Sequence, residues 1–476
     1  MSPQAQLVMI AWLPVVLYLF RIFPAQRAVV ISFIVAWLFL PQLAGFSFPG
    51  IPDYERMSAT CYSILLATFI FDVQRFTSYK LGWLDLPMLI WCICPFASSI
   101  TNGLGVYDGL SQTLAQTVAY GIPYFLGRIY LNNLTGLRHL VIAMFIGGLI
   151  YAPLCWIEVR MSPQIHRWVY GYLDARKFAQ TIRYGGYRPT VFMQHGLSVG
   201  MWMATATLIG IWLWRAGVIK QVWGISMRWL VAVLLITVVL VKSTGAIILL
   251  LLGIMIMFTA KWFRTSFLQL LLIIGVSSYL YMGATGVFSS ERIAQVVSGL
   301  ATVVDQGRAN SVGFRMHNEE MLSEKARQRM MFGWGGWGRN RIYVENWNGD
   351  LVDISITDSL WIISFGINGA VGLIAIFGSS LLPAFSFFWL RYPASSWFKP
   401  KVAPAAVLSV IITLYMVDCT LNDQPNPVFT LASGGIAGLV LKEPEKKKLK
   451  GDHTVVVKHS LAQHRQKQRR LTQIRS

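Results

Sequence analysis

Charged residues are scarce in this chain. Only 13% of its 476 residues are Asp, Glu, Lys or Arg, whereas soluble domains carry about 25%. Hydrophobic residues make up 55% of the chain and recur in runs of about 17–25 residues, the length that a helix needs to cross a bilayer. Polar and apolar residues do not alternate within these runs, which excludes a transmembrane β-barrel. The composition therefore predicts an all-α polytopic membrane protein.

Cysteine and nucleotide-binding motifs are also lacking. The five cysteines lie in or beside apolar runs without metal-ligand spacing, so we expect small core residues: Cys61, Cys92, Cys94, Cys155 and Cys419. No phosphate-binding loop is present and no GxGxxG motif precedes a helix, which argues against ATP hydrolysis by this chain. The first apolar run, 7–23, lacks a basic segment and a small-residue cleavage site, so we expect a retained helix.

Thirteen apolar runs are candidates for membrane-spanning helices. They lie near residues 5–23, 28–46, 57–72, 81–100, 112–130, 139–158, 193–214, 227–241, 244–260, 265–282, 359–390, 403–420 and 427–441. We therefore predict 12–13 transmembrane helices, divided into an N-terminal bundle of ten spans (1–282), a large loop (283–358), C-terminal helices (359–441) and a tail (442–476). The run 359–390 is long, so we expect its first part to emerge from the membrane or to tilt steeply.

Basic residues lie in alternate connectors, and the positive-inside rule assigns that side to the cytoplasm. The tail after Leu441 is on the same side and carries eleven Lys or Arg residues against three acids. The N-terminus and the 283–358 loop are then outside, and the C-terminus is cytoplasmic. Several tryptophans at the cytoplasmic ends of spans are typical of an interfacial aromatic belt: Trp212, Trp214, Trp223, Trp229, Trp262 and Trp389.

The tail 442–476 is polar, basic and rich in Gln. Such a composition predicts a disordered arm, held near anionic membrane lipids by its charge. RNA binding is the weaker alternative, and we expect no nucleic-acid partner.

The outer loop 159–192 departs from the positive-inside rule. It carries six basic residues against Asp174: Arg160, Arg167, Arg176, Lys177, Arg183 and Arg188. One explanation is binding to anionic lipid headgroups. The other is an anionic substrate at the outer membrane surface, such as a lipid-linked pyrophosphate, because guanidinium groups suit phosphate recognition.

The large loop 283–358 is not a general cation patch, because residues 283–356 carry eight basic and eight acidic side chains. We predict a helix over 290–304 that lies on the outer leaflet and a second helix over about 311–331. Arg308 then lies in the turn between them and Arg315 in the first turn of the second helix, where both could bind a phosphate together with the helix-start amides. A surface salt bridge to Glu319 is the alternative for Arg315.

A glycine-rich turn, 333–338, follows the second predicted helix. No strand precedes it, so a dinucleotide-binding loop is rejected. We expect a tight turn that presents Trp334 and Trp337 to a sugar or to the membrane interface.

Two ionisable residues begin spans at the outer surface and are candidates for acid–base chemistry. His195 starts the seventh span and Asp358 starts the eleventh. A helix–helix hydrogen bond is the alternative for His195, and a helix N-cap is the alternative for Asp358. Asp353 and Asp418 are weaker candidates. Lys242, in the hairpin turn after the eighth span, is expected to reach outer headgroups, with a ligand role as the alternative.

Taken together, these motifs resemble the O-antigen ligase/polymerase superfamily. The resemblance covers roughly residues 185–390 and depends on short motifs: Tyr187-Arg188-Pro189-Thr190, His195-Gly196, Gly307-Arg308, Arg315, Phe332-Gly333-Trp334-Gly335, and Asp358-Ser359-Leu360 before a glycine-rich helix. It implies a metal-independent, cofactor-free membrane glycosyltransferase of the GT-C type in a bacterial inner membrane. The 283–358 loop would then be a large, partly helical periplasmic loop.

The resemblance also implies a substrate and roles for residues. The donor would be an undecaprenyl-pyrophosphate-linked glycan and the acceptor a glycan or lipid hydroxyl, with a chain-length regulator as a candidate partner. Arg188, Arg308 and Arg315 would neutralise the departing pyrophosphate, and Arg183, Trp334 and Trp337 would contact donor or glycan. The ligases have a histidine as candidate base after the large loop; here the corresponding region offers Asp358. That departure favours a polymerase or another exopolysaccharide-assembly enzyme over a ligase of the lipid A core.

Two other functions fit a polytopic chain of this kind. A transporter or flippase of a polysaccharide precursor would favour mid-membrane charges and inverted repeats, and the sequence has few of the former and no clear repeat. A non-catalytic subunit of a polysaccharide export machine is the third hypothesis, and it predicts that the arginines are dispensable.

Overall fold

The structure is a computed structural model of the chain. It describes residues 2–48, 50, 52–77, 79–173, 178, 180–183, 185–287 and 306–442, and for residues 306–316 it describes the backbone alone. The described part up to Leu441 forms one compact unit.

Helices account for nearly all of the regular structure. Within the described residues the helices are α1 (Pro3–Ile22), α2 (Ala25–Phe39), α3 (Arg56–Phe71), α4 (Gln74–Thr77), α5 (Leu86–Thr101), α6 (Val106–Gln116), α7 (Ile122–Tyr130), α8 (Leu134–Met161), α9 (Ile165–Tyr170), α10 (Gly196–Arg215), α11 (Met227–Leu240), α12 (Thr244–Trp262), α13 (Phe267–Thr285), α14 (Gln306–Arg327), α15 (Leu360–Ser386), α16 (Ala403–Cys419) and α17 (Pro427–Leu441). A π-helical turn, Thr117–Gly121, joins α6 to α7, and another, Phe387–Arg391, follows α15.

The strands form short antiparallel hairpins in the connectors. They are β1 (Gly45–Phe46) with β2 (Tyr54–Glu55), β3 (Ile182–Arg183) with β4 (Gly186–Tyr187), β5 (Gln221–Val222) with β6 (Ile225–Ser226), and β7 (Tyr343–Glu345) with β8 (Leu351–Asp353).

Each of the thirteen predicted spans corresponds to helical structure. Among the residues that the structure describes, seven helices are long and apolar enough to cross a membrane: Pro3–Ile22, Trp83–Thr101, Leu134–Met161, Gly196–Arg215, Thr244–Trp262, Phe267–Thr285 and Leu360–Arg391. Five shorter apolar helices are α2, α3, α11, α16 and α17. The predicted fifth span, 112–130, is α6, the π-helical turn and α7 in succession. These helices confirm the prediction of an all-α polytopic membrane protein.

Glycines allow α7 and α17 to pack backbone against backbone. A Cβ atom at Gly127 would overlap the carbonyl of Leu431, and one at Gly434 would overlap the carbonyl of Tyr124. Small residues at such positions are the usual means by which membrane helices approach closely and gain dispersion contacts. This contact places the connector before α17 beside the π-helical turn, where both reach the cavity described below.

The long apolar run near 359–390 is a broken helix. Gly369, inside α15, has φ 66° and ψ −166°, a conformation that favours glycine. The amides of Trp334 and Gly335 donate to the carbonyls of Gly366 and Ile367 at 2.8 and 3.0 Å. In the other direction, the amide of Ala370 donates to the carbonyl of Met330 at 2.7 Å.

The glycine-rich turn therefore satisfies the backbone groups that the break exposes. Unpaired backbone groups at membrane depth cost several kcal/mol each, so such a break persists only where protein supplies partners. Side chains of α5 add to this support, because Ser98 Oγ donates to the carbonyl of Ile367 at 2.7 Å. The prediction that the first part of this run emerges or tilts steeply did not anticipate a break.

Gly369→Ala is expected to lower the free energy of unfolding by more than about 1 kcal/mol, because alanine is strained at this positive φ. Its Cβ would also overlap the carbonyl of Met331. The matched control is Gly378→Ala on the same helix, where the nearest atom to a new Cβ is at an ordinary 3.6 Å. Thermal denaturation in detergent measures both variants, and equal melting temperatures would contradict the expectation.

A buried ion pair lies at the end of the bundle opposite the cavity. Asp85, which precedes α5, has no exposed surface and receives Arg128 Nε at 2.7 Å and Arg128 Nη2 at 3.0 Å. The hydroxyls of Tyr79 and Tyr124 and the amide of Gly82 also donate to this carboxylate, at 3.0, 3.2 and 2.8 Å. The pair links the connector before α5 to α7. Each oxygen of the Asp85 carboxylate accepts at least two hydrogen bonds, which offsets the cost of burying the charge.

Two predictions about individual side chains have different outcomes. All five cysteines are free and buried, as expected of core residues. Trp212 was expected in an interfacial belt, and that expectation is wrong. Its side chain is fully buried and stacks on Phe398, with ring centroids 5.5 Å apart.

The helix predicted over 311–331 begins earlier and ends earlier, as α14 (Gln306–Arg327). Arg308 is therefore in the helix rather than in a turn before it, and Arg315 is beyond the first turn. The Glu319 carboxylate of α14 accepts from Ser359 Oγ at 2.9 Å, Trp361 Nε1 at 3.2 Å and the Tyr279 hydroxyl at 2.7 Å. It thereby ties α14 to α13 and α15. The helix predicted over 290–304 lies outside the described residues.

Candidate functional site

A cavity of about 770 Å³ opens at one end of the bundle. Five parts of the chain line it: the connector from α2 to α3, the π-helical turn before α7, the segment from β3 to the start of α10, the residues just before α15, and the connector from α16 to α17. Four of the residues predicted from sequence to carry function line this cavity: Arg183, Arg188, His195 and Asp358. Parts of the chain far apart in sequence thus converge on one polar space, as expected of a ligand site.

Arg188 is the most enclosed of these four side chains, with 8% of its surface exposed. Its Nη2 donates to the carbonyl of Lys242 at 3.1 Å. Its Nε is buried and has no hydrogen-bond partner among the residues that the structure describes. A buried donor without a partner costs about 1–3 kcal/mol, and more when it is charged, so this nitrogen is suited to an acceptor that arrives with a ligand.

The position of Arg188 depends on the glycine that begins α10. A Cβ atom at Gly196 would overlap Cγ and Cδ of Arg188, so the arginine stem passes where only a glycine leaves room. The backbone amide of Arg188 donates to the carbonyl of Thr181 at 2.7 Å and continues the β3–β4 hairpin. The side chain is therefore placed by the hairpin on one side and by α10 on the other.

A buried carboxylate fixes the chain that follows. Glu158, near the end of α8, accepts from the amides of Ile165, Thr190 and Val191 at 3.0, 2.8 and 2.7 Å. These bonds hold the segment between Arg188 and His195 against α8. The carboxylate of Glu158, which belongs to α8, is thus directed at backbone amides of the cationic connector.

Arg183 lies beside Arg188 on the β3–β4 hairpin. Burial, together with the charge of Arg183, lowers the pKa of Arg188 to about 10. Lys242 Nζ donates to the carbonyl of Arg183 at 3.2 Å, so this lysine contributes to the site's frame, where headgroup contact was expected from the sequence. Within the described residues, no carboxylate forms an ion pair with Arg183 or Arg188. Two neighbouring cations without a counter-ion favour an anionic ligand.

Arg56 is a cavity residue that sequence reasoning missed. It begins α3, and its Nη1 donates to the carbonyls of Trp37 and Phe192 at 3.3 and 3.4 Å. The guanidinium also lies 4.5 Å from the centroid of the Trp37 ring, a cation–π contact that orients it. An arginine on the side that the positive-inside rule leaves poor in basic residues was the signal that could have indicated it.

His195 is the N-cap of α10. Its Nδ1 accepts from the amide of Leu197 at 3.1 Å, and its Nε2 is 2.9 Å from Gln180 Oε1. An Nδ1 that accepts is unprotonated, so the neutral ring carries its proton on Nε2 and donates it to Gln180. The helix–helix hydrogen bond considered from sequence is not what is observed. The geometry favours a positioning role for His195, because its lone pair is already used by the backbone.

Two carboxylates line the cavity from other directions. Asp358 comes from the segment before α15, and Ser359, not Asp358, is the N-cap of that helix. Asp423 comes from the connector between α16 and α17. Burial raises the pKa of Asp423 to about 6, although its side chain remains open to the cavity. Asp423 was not among the sequence candidates; a carboxylate in a seven-residue outer connector was the available signal.

The remaining sequence candidates are elsewhere or undescribed. Trp334 Nε1 donates to the carbonyl of Lys325 at 2.7 Å, and the ring lies beneath the cation of Arg329. Trp337 is 75% exposed. Neither tryptophan lines the cavity, so their predicted glycan contact within this site has no geometric support. The side chains of Arg308 and Arg315 fall outside the description, and their roles stay predictions.

Asp353 and Asp418, the weaker candidates, have structural partners. Asp353 Oδ2 receives Arg341 Nη1 at 2.7 Å in the β7–β8 hairpin, and Asp418 Oδ1 accepts from Asn422 Nδ2 at 2.9 Å. Neither lines the cavity.

Comparison of the chain with known protein families gives no match, and comparison with characterised proteins gives none either. The fold and the site define a multi-pass α-helical membrane protein with a polar cavity at one end. The arginines and carboxylates of that cavity are the basis for its function.

Proposed function

We propose that this protein is an inner-membrane glycosyltransferase that transfers or polymerises an undecaprenyl-pyrophosphate-linked oligosaccharide at the outer face of a bacterial membrane. The observation that carries the proposal is the buried Nε of Arg188, which lies beside Arg183 in a 770 Å³ cavity and has no hydrogen-bond partner within the described part of the chain. A pyrophosphate supplies acceptor oxygens and negative charge to these groups at once.

The chemistry follows from the charges around the cavity. Glycosyl transfer breaks the bond between the anomeric carbon and the pyrophosphate, so negative charge grows on the leaving oxygen. Fixed guanidinium groups in a partly dehydrated site stabilise that charge without reorganisation. Arg188 and Arg56, which donate to backbone carbonyls, are such groups, and the exposed Arg183 adds positive charge beside them. A carboxylate in the same cavity can accept the proton of the acceptor hydroxyl.

The location of the cavity supports a lipid-linked substrate. It lies at an end of the bundle, where the headgroup of a membrane lipid meets water while its chain remains in the bilayer. The resemblance to the O-antigen ligase/polymerase superfamily suggests the same donor class. The orientation expected from basic residues makes this end the outer one.

A transporter or flippase is the second candidate, because the break at Gly369 is of the kind found at transporter sites. Here the glycine-rich turn covers the break, and Gly369 does not line the cavity. Those two facts favour the glycosyltransferase.

The direct test uses the purified protein in lipid nanodiscs with a fluorescent undecaprenyl-pyrophosphate oligosaccharide as donor and the matching free oligosaccharide as acceptor. We expect a longer glycan and one released undecaprenyl pyrophosphate per bond formed, with no loss of activity in EDTA. Donor recovered unchanged at every acceptor concentration would reject the proposal. If proteoliposomes instead moved the donor across the bilayer intact, the transporter would be the function.

A further inference from the structure

The connector between α16 and α17 holds one carboxylate, that of Asp423, in a rigid setting. The amide of Asn422 donates to the carbonyl of Asp418 at 2.9 Å, and the carbonyl of Gln424 accepts from the Tyr415 hydroxyl at 3.0 Å. Asn426 Oδ1 accepts from the amide of Val428 at 3.0 Å and caps α17. The residues around Asp423 are therefore fixed by hydrogen bonds.

Asp423 itself differs from its neighbours. Among the described residues, none donates a hydrogen bond to its carboxylate or forms an ion pair with it, and the side chain lines the cavity. Ser198 Oγ of α10 bonds the adjacent Gln424 side chain, which joins this connector to the helix that supports Arg188. A rigid backbone with one free carboxylate directed at a cavity is the arrangement expected of a preorganised functional group.

We propose that Asp423 is the general base that takes the proton from the acceptor hydroxyl, in place of the sequence candidates Asp358 and His195. This inference rests on the proposed function, and it assigns the proton acceptor within that same cavity.

The step balances in atoms and charge. The acceptor hydroxyl transfers its proton to a carboxylate oxygen of Asp423 as its oxygen forms a bond to the anomeric carbon. The bond from that carbon to the pyrophosphate oxygen breaks, and the electron pair leaves with the lipid pyrophosphate, which the arginines stabilise. The protonated Asp423 returns its proton to water through the open cavity.

The acid strength of Asp423 suits this role. Burial raises its pKa to about 6, whereas an ordinary aspartate is near 3.8. A general base is most effective when its pKa lies near the working pH, because it is then both deprotonated and basic enough to take the proton. Because only the deprotonated form can act, transfer should fall as the pH drops below about 6.

Other titratable groups face the same space and must be considered. From the surrounding elements these are Tyr120 of the π-helical turn, Glu55 and Arg56 at the start of α3, Arg183 and Arg188 of the hairpin segment, His195 and Asp358. Burial alone raises the pKa of Asp423, and no cation among the described groups opposes that shift. Asp423 thus titrates as a carboxylate without a counter-ion.

The test is a pH–rate profile of the full-length protein in nanodiscs, with the fluorescent undecaprenyl-pyrophosphate oligosaccharide as donor. Asp423→Asn is expected to lower turnover about a hundredfold, with donor binding unchanged within about twofold. The residual activity of Asp423→Asn should no longer fall as the pH drops below about 6, that is, its pH–rate profile should lack the acidic limb. Asp423→Glu should recover part of the turnover together with an acidic limb. The matched control is Asp350→Asn, an exposed aspartate of the β7–β8 hairpin that does not line the cavity.

Each other outcome overturns the inference in a recognisable way. Turnover of Asp423→Asn equal to wild type would remove Asp423 as the base and leave the glycosyltransferase standing. Loss of the acidic limb in Asp358→Asn but not in Asp423→Asn would assign the base to Asp358. A wild-type protein that makes no glycosidic bond would overturn the proposed function and this inference together.

Discussion

Arg188→Ala is expected to lower the rate of glycan transfer about a thousandfold, the usual loss when a preorganised donor to a developing anion is removed. The substitution removes the buried Nε, which has no partner among the described residues, and the Nη2 that donates to the carbonyl of Lys242. Folding should not suffer, because the substitution also removes a buried cation beside Arg183. The measurement is turnover in nanodiscs, together with the melting temperature.

Two companion variants separate charge from position. Arg188→Lys keeps the positive charge but loses the planar guanidinium, which can donate two parallel hydrogen bonds to a phosphate. We therefore expect a transfer rate between those of wild type and Arg188→Ala. Gly196→Ala keeps the arginine and displaces its stem, so it should also slow transfer. The matched control is Arg341→Ala, which removes an arginine bonded to Asp353 away from the cavity. Such an exposed pair contributes at most about 1 kcal/mol. Normal transfer by Arg188→Ala would exclude the arginine from the chemistry.

Asp85→Asn is expected to lower the free energy of unfolding by roughly 3–5 kcal/mol, because it leaves the Arg128 guanidinium buried without a counter-charge. Asp85 has no exposed surface, and its carboxylate receives both nitrogens of Arg128 that face it. The amide keeps one acceptor oxygen, so it can accept from Tyr124, which bonds Oδ1, or from Tyr79, which bonds Oδ2, but not from both. The variant therefore tests the charge together with one hydrogen bond. Unfolding in mixed detergent micelles, monitored by tryptophan fluorescence, measures the difference.

The double variant Asp85→Asn with Arg128→Gln provides the control. Removing both charges should cost less than removing Asp85 alone, since no isolated charge then remains buried. The matched surface variant is Asp72→Asn, whose ion pair with Arg75 is partly exposed and should contribute about 1 kcal/mol or less. If the double variant were as unstable as the sum of the single ones, the pair would not be coupled.

Helix positions were predictable from sequence because bilayer thickness sets their length and the apolar runs show it directly. The break at Gly369 was not, because a glycine inside an apolar run is common and the partners that satisfy the break lie over thirty residues earlier. Nothing in the local pattern links Met330 to Ala370. A break inside an apolar helix needs hydrogen-bond partners for its backbone groups. The sequence alone does not show which segment provides them.

The candidate site was predictable from sequence where basic residues lie in an outer connector, against the positive-inside rule. Arg183 and Arg188 stood out because an outer connector with excess positive charge needs an explanation, and they do share a cavity. Arg56 and Asp423 were missed because each is a single charge in a short connector, where it has no local pattern. The glycine-rich turn has a conspicuous motif, and its backbone bonds the broken helix, while its two tryptophans lie outside the cavity.

The bonding between the glycine-rich turn and α15 limits how this protein can be recombined with others. A chimera that exchanged only residues 306–358 would import a foreign turn opposite Gly366 and Ala370. A turn of different geometry would leave the backbone groups at the break in α15 without hydrogen-bond partners. The segment with the glycine-rich turn and α15 should therefore be exchanged together, with the junctions placed at the end of α13 and the end of α15.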